Sequence, residues 1–502
     1  MDSSHQPIGE RAVPGETQHL DVIIVGAGIS GIDAAYHLQR ECPDKSLALL
    51  ERKASFGGTW RLHRYPGIRS DSDLYTFGFG WKPWTGVPLA TAEEILTYLG
   101  EALEEQDLAR HVRYGQSVQA ADWDSDGQRW ILTCQDHATD EIWQITCGFL
   151  WMCQGYYRHE EGYLPEFPGI ETFEGEVAHP QTWPEDLDYK GKRVVVIGSG
   201  ATAATLIPAI AEDCAAVTML QRSPTFFAAR PKVPELAKLL KPLKLPDEWF
   251  HEIMRRSSLH ERSTFTRLAL NNPEPVREAL LAEVQAHLGE DYDIAPHFTP
   301  EYRPWQQRIA VVPDGDLFKG IREGKVEVVT DHIERITATG IALRSGRELE
   351  ADIIVTATGL TLSVMGDIPF SKDGDPIDFS SCWAHRGILF TGVPNMAWVF
   401  GYLRNSWTLR ADLVSAFVCR LLKHMDDKGC RTVTPALRSD EQQMQPRLLV
   451  EPENFSAGYI QRSIAQFPKQ GDREPWIFSQ EYDLEKKEIP AADLEDGTLV
   501  YS

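Results

Sequence analysis

The chain has 502 residues, 42% hydrophobic and 25% charged, enough to build full cores in roughly two to four domains. Its formal net charge of -24 works against binding DNA, RNA or an anionic membrane surface. It has no apolar run of about 18 residues, so no transmembrane helix is expected. The eight cysteines are scattered without a CxxC pair, so reduced thiols in a cytoplasmic protein are expected rather than a disulfide scaffold or a metal site.

Residues 1–19 are polar, lack a signal-peptide core and read as a flexible leader. DVIIVG, from Asp21, is a buried-strand pattern that runs into a glycine-punctuated turn. The helix pattern ISGIDAAYHLQREC and the strand LALLE follow, which makes a βαβ unit. This first stretch closes with GFLWMC and Gln154-Gly155, and residues 156–189 read as a linker. From Lys190, KRVVVIGSG, ATAATLIPAIAEDC and AVTMLQRS repeat the strand, turn, helix and strand about 170 residues further on. Residues 231–300 carry helical apolar spacing and read as an insertion, and strands return over 326–358. The remainder holds one clear helix near 409–425 and is expected to fold back on the first unit. Its Pro-, Lys- and Glu-rich tail from 466 is expected to wrap the surface. The fold class is therefore α/β with two Rossmann-like dinucleotide-binding domains. One is discontinuous, over 20–155 and 359–502; the other spans 190–358 and contains the helical insertion.

The first turn is Gly26-Ala27-Gly28-Ile29-Ser30-Gly31, and Glu51 ends the next strand about twenty residues on. A lone GxGxxG is weak; the strand, helix and acid around it make it specific. Gly26 makes the tight turn, Gly28 admits a pyrophosphate at the helix N-terminus, and Gly31 permits close helix–strand packing. Glu51 can accept ribose hydroxyls. The second turn is Gly198-Ser199-Gly200-Ala201-Thr202-Ala203, with alanine in the third glycine's place. Its following strand ends in Gln221-Arg222-Ser223 rather than an acid, and an arginine fork there suits a 2′-phosphate. The pair reads as an FAD site followed by an NADPH site, which implies hydride transfer between two cofactors.

Further motifs narrow the reading. Phe173, Gly175, His179, Trp183 and Pro184 satisfy FxGxxxHxxxWP. Gly57-Gly58-Thr59-Trp60 and Tyr65-Pro66-Gly67-Ile68-Arg69-Ser70-Asp71 lie between the first turn and this motif. Together these resemble the Baeyer–Villiger monooxygenases, a branch of the class B flavin monooxygenases, over nearly all of the chain from about residue 20. The run RYPGIRSDSDLYTFGFGWKPWTG is most similar to the bacterial thioamide-activating subgroup. The resemblance implies that Gly58, Thr59, Trp60, Arg69, Asp71 and Val118 contact FAD. It implies that Phe173, Gly175, His179 and Trp183 couple domain movement to catalysis rather than doing acid–base chemistry. It places the catalytic arginine in Tyr302-Arg303-Pro304-Trp305-Gln306-Gln307-Arg308-Ile309, best at Arg308 with Arg303 as the confusable neighbour. Asp71 resembles the carboxylate that positions this arginine.

Some positions depart from the family pattern. Phe77 stands where many relatives have tyrosine, and Gly401-Tyr402-Leu403-Arg404-Asn405-Ser406-Trp407 replaces a GPxS-like run. Val355-Thr356-Ala357-Thr358-Gly359 resembles the crossover back to the first domain, and Cys153-Gln154-Gly155 holds the analogous earlier position. The activity implied is NADPH- and O2-dependent conversion of ketones to esters or lactones through a C4a-peroxyflavin. Oxidation of sulfides, thioamides or amines is the alternative within the class. The absent CxxC argues against a disulfide reductase, and the presence of both turns with Arg308 and Asp71 argues against a non-enzymatic redox sensor. Substrate identity and the choice between monomer and homodimer are left open.

Overall fold

The protein is described from a computed structural model over residues 17–502. The leader expected over 1–19 falls mostly outside these residues, but Gln18 and His19 belong to a strand, which corrects the leader's end. They pair with Ile145 and Thr146 across the sheet, and that pairing satisfies backbone groups a loose leader would leave to water.

The first strands are β1 (Gln18–Val25), β2 (Leu47–Glu51), β3 (Val112–Tyr114), β4 (Gln116–Asp124), β5 (Arg129–Asp136) and β6 (Ile142–Met152). β1 lies between β2 and β6 and is parallel to both. The helix α1 (Ile29–Glu41) makes the crossover from β1 to β2. β5 runs antiparallel to β4 and β6. Strands from the far end of the chain join the same sheet: Phe370–Lys372 beside β4 and Met396–Trp398 beside β6. Among the described residues the sheet has nine strands. The long helix Trp407–Lys428 closes its helical layer, and Ser415 Oγ donates to the buried Asp33 Oδ2 of α1 at 3.1 Å.

Between those two contributions the chain builds a second, all-parallel sheet. Its order is Val326–Thr330, Ala216–Gln221, Arg193–Ile197, Ile353–Thr356 and Glu176–Ala178. The edge strand Glu176–Ala178 comes from the FxGxxxHxxxWP stretch, so that stretch is part of the sheet rather than a free connector. The helical insertion is bracketed by a short parallel pair, Phe227–Arg230 with Ala310–Pro313, and its main helices are Asp247–Asn271 and Pro273–Leu288.

The tail departs from expectation. Trp476 is fully buried, and Phe467 and Phe478 join Trp398 and Phe400 in the core beneath the first sheet. Each such side chain contributes about 1.5–3 kcal/mol on burial, so a few widely spaced aromatics pin a segment whose average composition is polar.

Candidate active site

Each glycine turn is braced by a crossover carbonyl. At the first, Gly26 has φ +101°, and a Cβ there would sit 2.7 Å from the Cys153 carbonyl oxygen. A Cβ on Gly31 would lie 1.9 Å from the Gly26 carbonyl oxygen, so only glycine lets α1 start this close to β1. Gly57 N donates to Ala27 O at 3.0 Å, and Gly58 lies against Gly28, so the Gly57–Trp60 stretch is folded onto the turn. Thr59 Oγ1 bonds the Tyr157 hydroxyl at 2.7 Å, and Trp60 meets Phe77 edge-on. Ser30 Oγ accepts from Trp407 Nε1 at 2.7 Å.

Glu51 is buried. Its Oε2 accepts from Ala27 N at 2.9 Å and its Oε1 from Lys53 N at 2.8 Å. A carboxylate has about four acceptor positions, so two remain for ribose hydroxyls. Gln154, whose Cα lies against Gly26, has both amide atoms buried without a protein partner, and Arg52 Nη2 is likewise orphaned. Orphaned buried polar atoms are costly unless a ligand or water meets them, and these fit a polar dinucleotide on the turn. Val118 lies on β4 at its register break opposite β5.

At the second turn Gly198 has φ +130°, and a Cβ would stand 2.4 Å from the Ala357 carbonyl oxygen. A Cβ at Gly200 would meet nothing within 4 Å, which leaves open space at the N-terminus of the helix Ala201–Ile210, with Thr202 and Ala203 in its first turn. Ser199 Oγ bonds Thr225 Oγ1 at 2.9 Å. Arg222 and Ser223 are exposed, and Arg222 makes no ion pair among the described residues. That free guanidinium beside an open helix N-terminus fits the phosphates of a second dinucleotide.

The loop 65–71 carries the first half of the molecule across to the second. Tyr65 lies within hydrogen-bonding reach of Thr202. Gly67 (φ +76°) packs so closely on that helix that a Cβ would meet Ala209 at 2.6 Å. Arg69 Nη1 donates to Asp316 Oδ2 at 2.7 Å, while its Nη2 is buried without a partner. Asp71 then meets Arg308 in a two-pronged bond, Nε to Oδ2 at 2.6 Å and Nη2 to Oδ1 at 2.8 Å. Arg303 is turned elsewhere, its Nη2 donating to Glu453 O at 2.7 Å.

Burial pushes the Asp71 carboxyl up, but the Arg308 charge and its hydrogen bonds outweigh this and hold the carboxyl below the ordinary range. Attraction to Asp71 holds Arg308 above its ordinary value, so the guanidinium is permanently charged. Two of the five N–H donors of Arg308 serve Asp71, and the rest remain for another acceptor. The pair lines a cavity of about 770 Å³, with Trp305, Phe265, Met254 and Leu403 among its apolar walls. Three further residues belong here, of which the sequence marks only Arg404, within the Gly401–Trp407 run. Tyr156 stacks on Trp407 and, like Tyr459, stands near enough to Arg308 to feel its charge. Arg404 lines the cavity and is buried, with its Nε donating to Trp305 O at 3.3 Å. Tyr156 directly follows the Cys153-Gln154-Gly155 crossover, a position that could have flagged it. Tyr459 carries no local pattern, because its stretch is irregular.

The linker motif is explained by packing. A Cβ on Gly175 would collide with the Asp352 carbonyl oxygen at 2.3 Å and the Phe173 ring at 2.6 Å. Trp183 packs partly buried on the second unit's core and lines a smaller cavity with Arg64 and Pro66. His179 Nδ1 accepts from Gln181 N at 3.1 Å, which puts the neutral ring's proton on Nε2. That Nε2 is buried with no partner, and burial lowers the ring's pKa.

Residues 88–233 match the family model for flavin-binding monooxygenase-like proteins, and residues 24–85 match an NAD(P)-binding Rossmann-like domain. The chain is 47% identical over 493 residues to the FAD-containing monooxygenase EthA of Mycobacterium tuberculosis strain H37Rv, covering 97% of this chain and 98% of that one. The chain belongs to the class B flavin-binding monooxygenase family. The EthA of Mycolicibacterium smegmatis is 45% identical over 488 residues, with 97% and 98% covered. Among solved structures, a steroid monooxygenase bound to NADP superposes with a TM-score of 0.76 at 20% identity, covering 96% of this chain and 99% of that one. An open form of cyclohexanone monooxygenase gives 0.74 at 22% identity, with 97% and 100% covered. These structural likenesses speak to the shared fold. Among the described residues no helix is long and apolar enough to cross a membrane.

Proposed function

We propose that this flavin monooxygenase is an NADPH- and O2-dependent Baeyer–Villiger enzyme that converts ketones to esters or lactones. In this reading FAD rests on the first turn, with Gly26, Gly28, Ser30, Gly31, Glu51, Gly58, Thr59 and Trp60 around it and Arg69, Asp71 and Val118 completing its contacts. NADPH rests on the second turn against Gly198–Ala203, with Arg222 and Ser223 at its 2′-phosphate. We assign the FAD-binding unit to 18–155 and 359–502, and the NADP-binding unit to 190–358 together with the edge strand Glu176–Ala178 from the 156–189 stretch. The bound cofactor pair supplies reducing power and activates oxygen.

The observation that carries the proposal is the Asp71–Arg308 fork on the wall of the apolar cavity. A carbonyl oxygen gains negative charge as a nucleophile adds to its carbon, and preorganised N–H donors from a permanent cation stabilise that charge best where water is scarce. Asp71 fixes the plane and position of the guanidinium, while the apolar walls hold the ketone. His179, Phe173, Gly175 and Trp183 are assigned to coupling between the two sheets. Oxygenation of sulfur or nitrogen is the second reading, since a soft sulfide in the same cavity needs no oxyanion donor.

A product assay by mass spectrometry tests this. Linear ketones, cyclic ketones and a sulfide are offered separately while NADPH oxidation is recorded. Esters or lactones formed in step with NADPH support the proposal; sulfoxide alone would replace it with the second reading.

A further inference from the structure

The helical insertion carries a surface that the oxygenation chemistry does not use. Residues 230–244 read RPKVPELAKLLKPLK, five basic residues against one acidic in a chain whose net charge is -24. The stretch forms a short helix, Glu235–Leu240, a further turn over Lys241–Leu243, and then the approach to the long helix Asp247–Asn271. Leu236 and Leu240 pack against the core, while Leu239 (70% exposed) and Leu243 (63%) are turned outward, as is Trp249 (65%) in the first turn of the long helix. Lys232, Lys238, Lys241 and Lys244 are exposed among them. Arg230, Pro231, Pro234 and Leu236 of the same stretch line the cavity that holds Arg308.

We propose that this rim is a lipid-docking surface that seats the enzyme on an anionic bilayer, with the cavity mouth beside the membrane. Exposed apolar side chains grouped on one short segment mark an interaction site. Leucine and tryptophan tips with lysines between them match the boundary between acyl chains and headgroups, where tryptophan settles and lysine stems lie along apolar surface with the ammonium in the headgroups. The overall negative charge does not cancel this attraction. Fields from distant carboxylates are screened beyond about 8 Å at physiological salt, so the local basic excess governs contact. Asp247 and Glu248 immediately precede Trp249, and Glu235 pairs with Lys238 on the same short helix, so over 230–249 five basic residues face three acidic ones and a local basic excess remains. A second copy meeting this rim through the same surface would set lysines against lysines, whereas an anionic lipid surface complements them.

The test is vesicle flotation of the intact holoenzyme, with no turnover required, so its outcome is independent of which substrate is oxidised. Vesicles of phosphatidylcholine with phosphatidylglycerol are compared with phosphatidylcholine alone. The enzyme is expected to float with the anionic vesicles and to lose most of that binding at high salt. The triple variant Lys238→Glu, Lys241→Glu, Lys244→Glu is expected to bind more than about hundredfold more weakly. The triple variant Leu239→Ser, Leu243→Ser, Trp249→Ser is expected to lose binding at low salt as well. Wild-type protein that ignores anionic vesicles, or wild-type-like binding by either variant, overturns the proposal. So does a concentration-dependent dimer that the serine variant turns into monomer, because a second copy would then be the occupant.

Discussion

Replacing Arg308 by alanine removes two bonds to Asp71 and the charge that faces the cavity. Two costs follow, and they are separable. For stability, deleting one partner of a fully buried pair costs about 3–5 kcal/mol. Here the side chains are 37% and 24% exposed, so water takes over much of the lost solvation and about 1–2 kcal/mol is expected. For catalysis, losing a preorganised donor to a developing oxyanion lowers kcat by about a hundred- to a thousandfold. Arg308→Lys keeps the charge but loses the planar fork, so it should recover folding better than turnover. The assay reads two signals on the same sample: anaerobic bleaching of the flavin by NADPH, and ester formation in air. Arg308→Ala should keep the first and lose the second. Ester formation at the wild-type rate would refute the oxyanion role, and loss of flavin reduction as well would make Arg308 part of nicotinamide binding instead.

Arg222→Ala should raise KM for NADPH well over tenfold while barely changing KM for NADH, because only the former carries the 2′-phosphate; equal effects in steady-state kinetics would point to another anchor. Gly31→Ala places a Cβ 1.9 Å from the Gly26 carbonyl oxygen, so purified protein should carry little flavin by absorbance, and normal loading would contradict the packing argument. Burial holds His63 and His159 down to about 4 and His385 to about 3, so all three are neutral when folded and protonate more readily once unfolded. Their contribution is fully present above their ordinary pKa and is lost as pH falls through the window from 6.5 to those lowered values. The slope is about 1.4 kcal/mol per pH unit for each histidine. Denaturant titrations from neutrality to about pH 5 should show falling stability, and a flat profile would count against the buried neutral state.

The parts of the fold set by local sterics were legible in the sequence. Gly26, Gly31 and Gly198 occupy places where backbone meets backbone, and the strand, turn and helix around them leave a pattern that needs no tertiary knowledge. The ends of elements were less legible. Gln18 and His19 look like polar leader, and only their partners on β6 make them strand. The tail's composition hid Trp476 and Phe478, because spaced aromatics among Pro, Lys and Glu give no period. At the site, Asp71 and Arg308 lie 237 residues apart, and no local rule joins them; the family resemblance brought both into view. Tyr156 and Tyr459 stayed out of view, and Arg404 was marked only as part of the Gly401–Trp407 run without a role, since each reaches the site through loops whose course depends on the folded whole.

In the proposed reaction one oxygen atom of O2 is inserted beside a carbonyl. Turnover of a ketone under isotopically heavy dioxygen with NADPH tests it directly. The expected product is an ester or lactone carrying one heavy oxygen atom for each NADPH consumed. NADPH oxidation that yields only hydrogen peroxide, with every ketone in the panel recovered unchanged and a sulfide oxidised in its place, would contradict it.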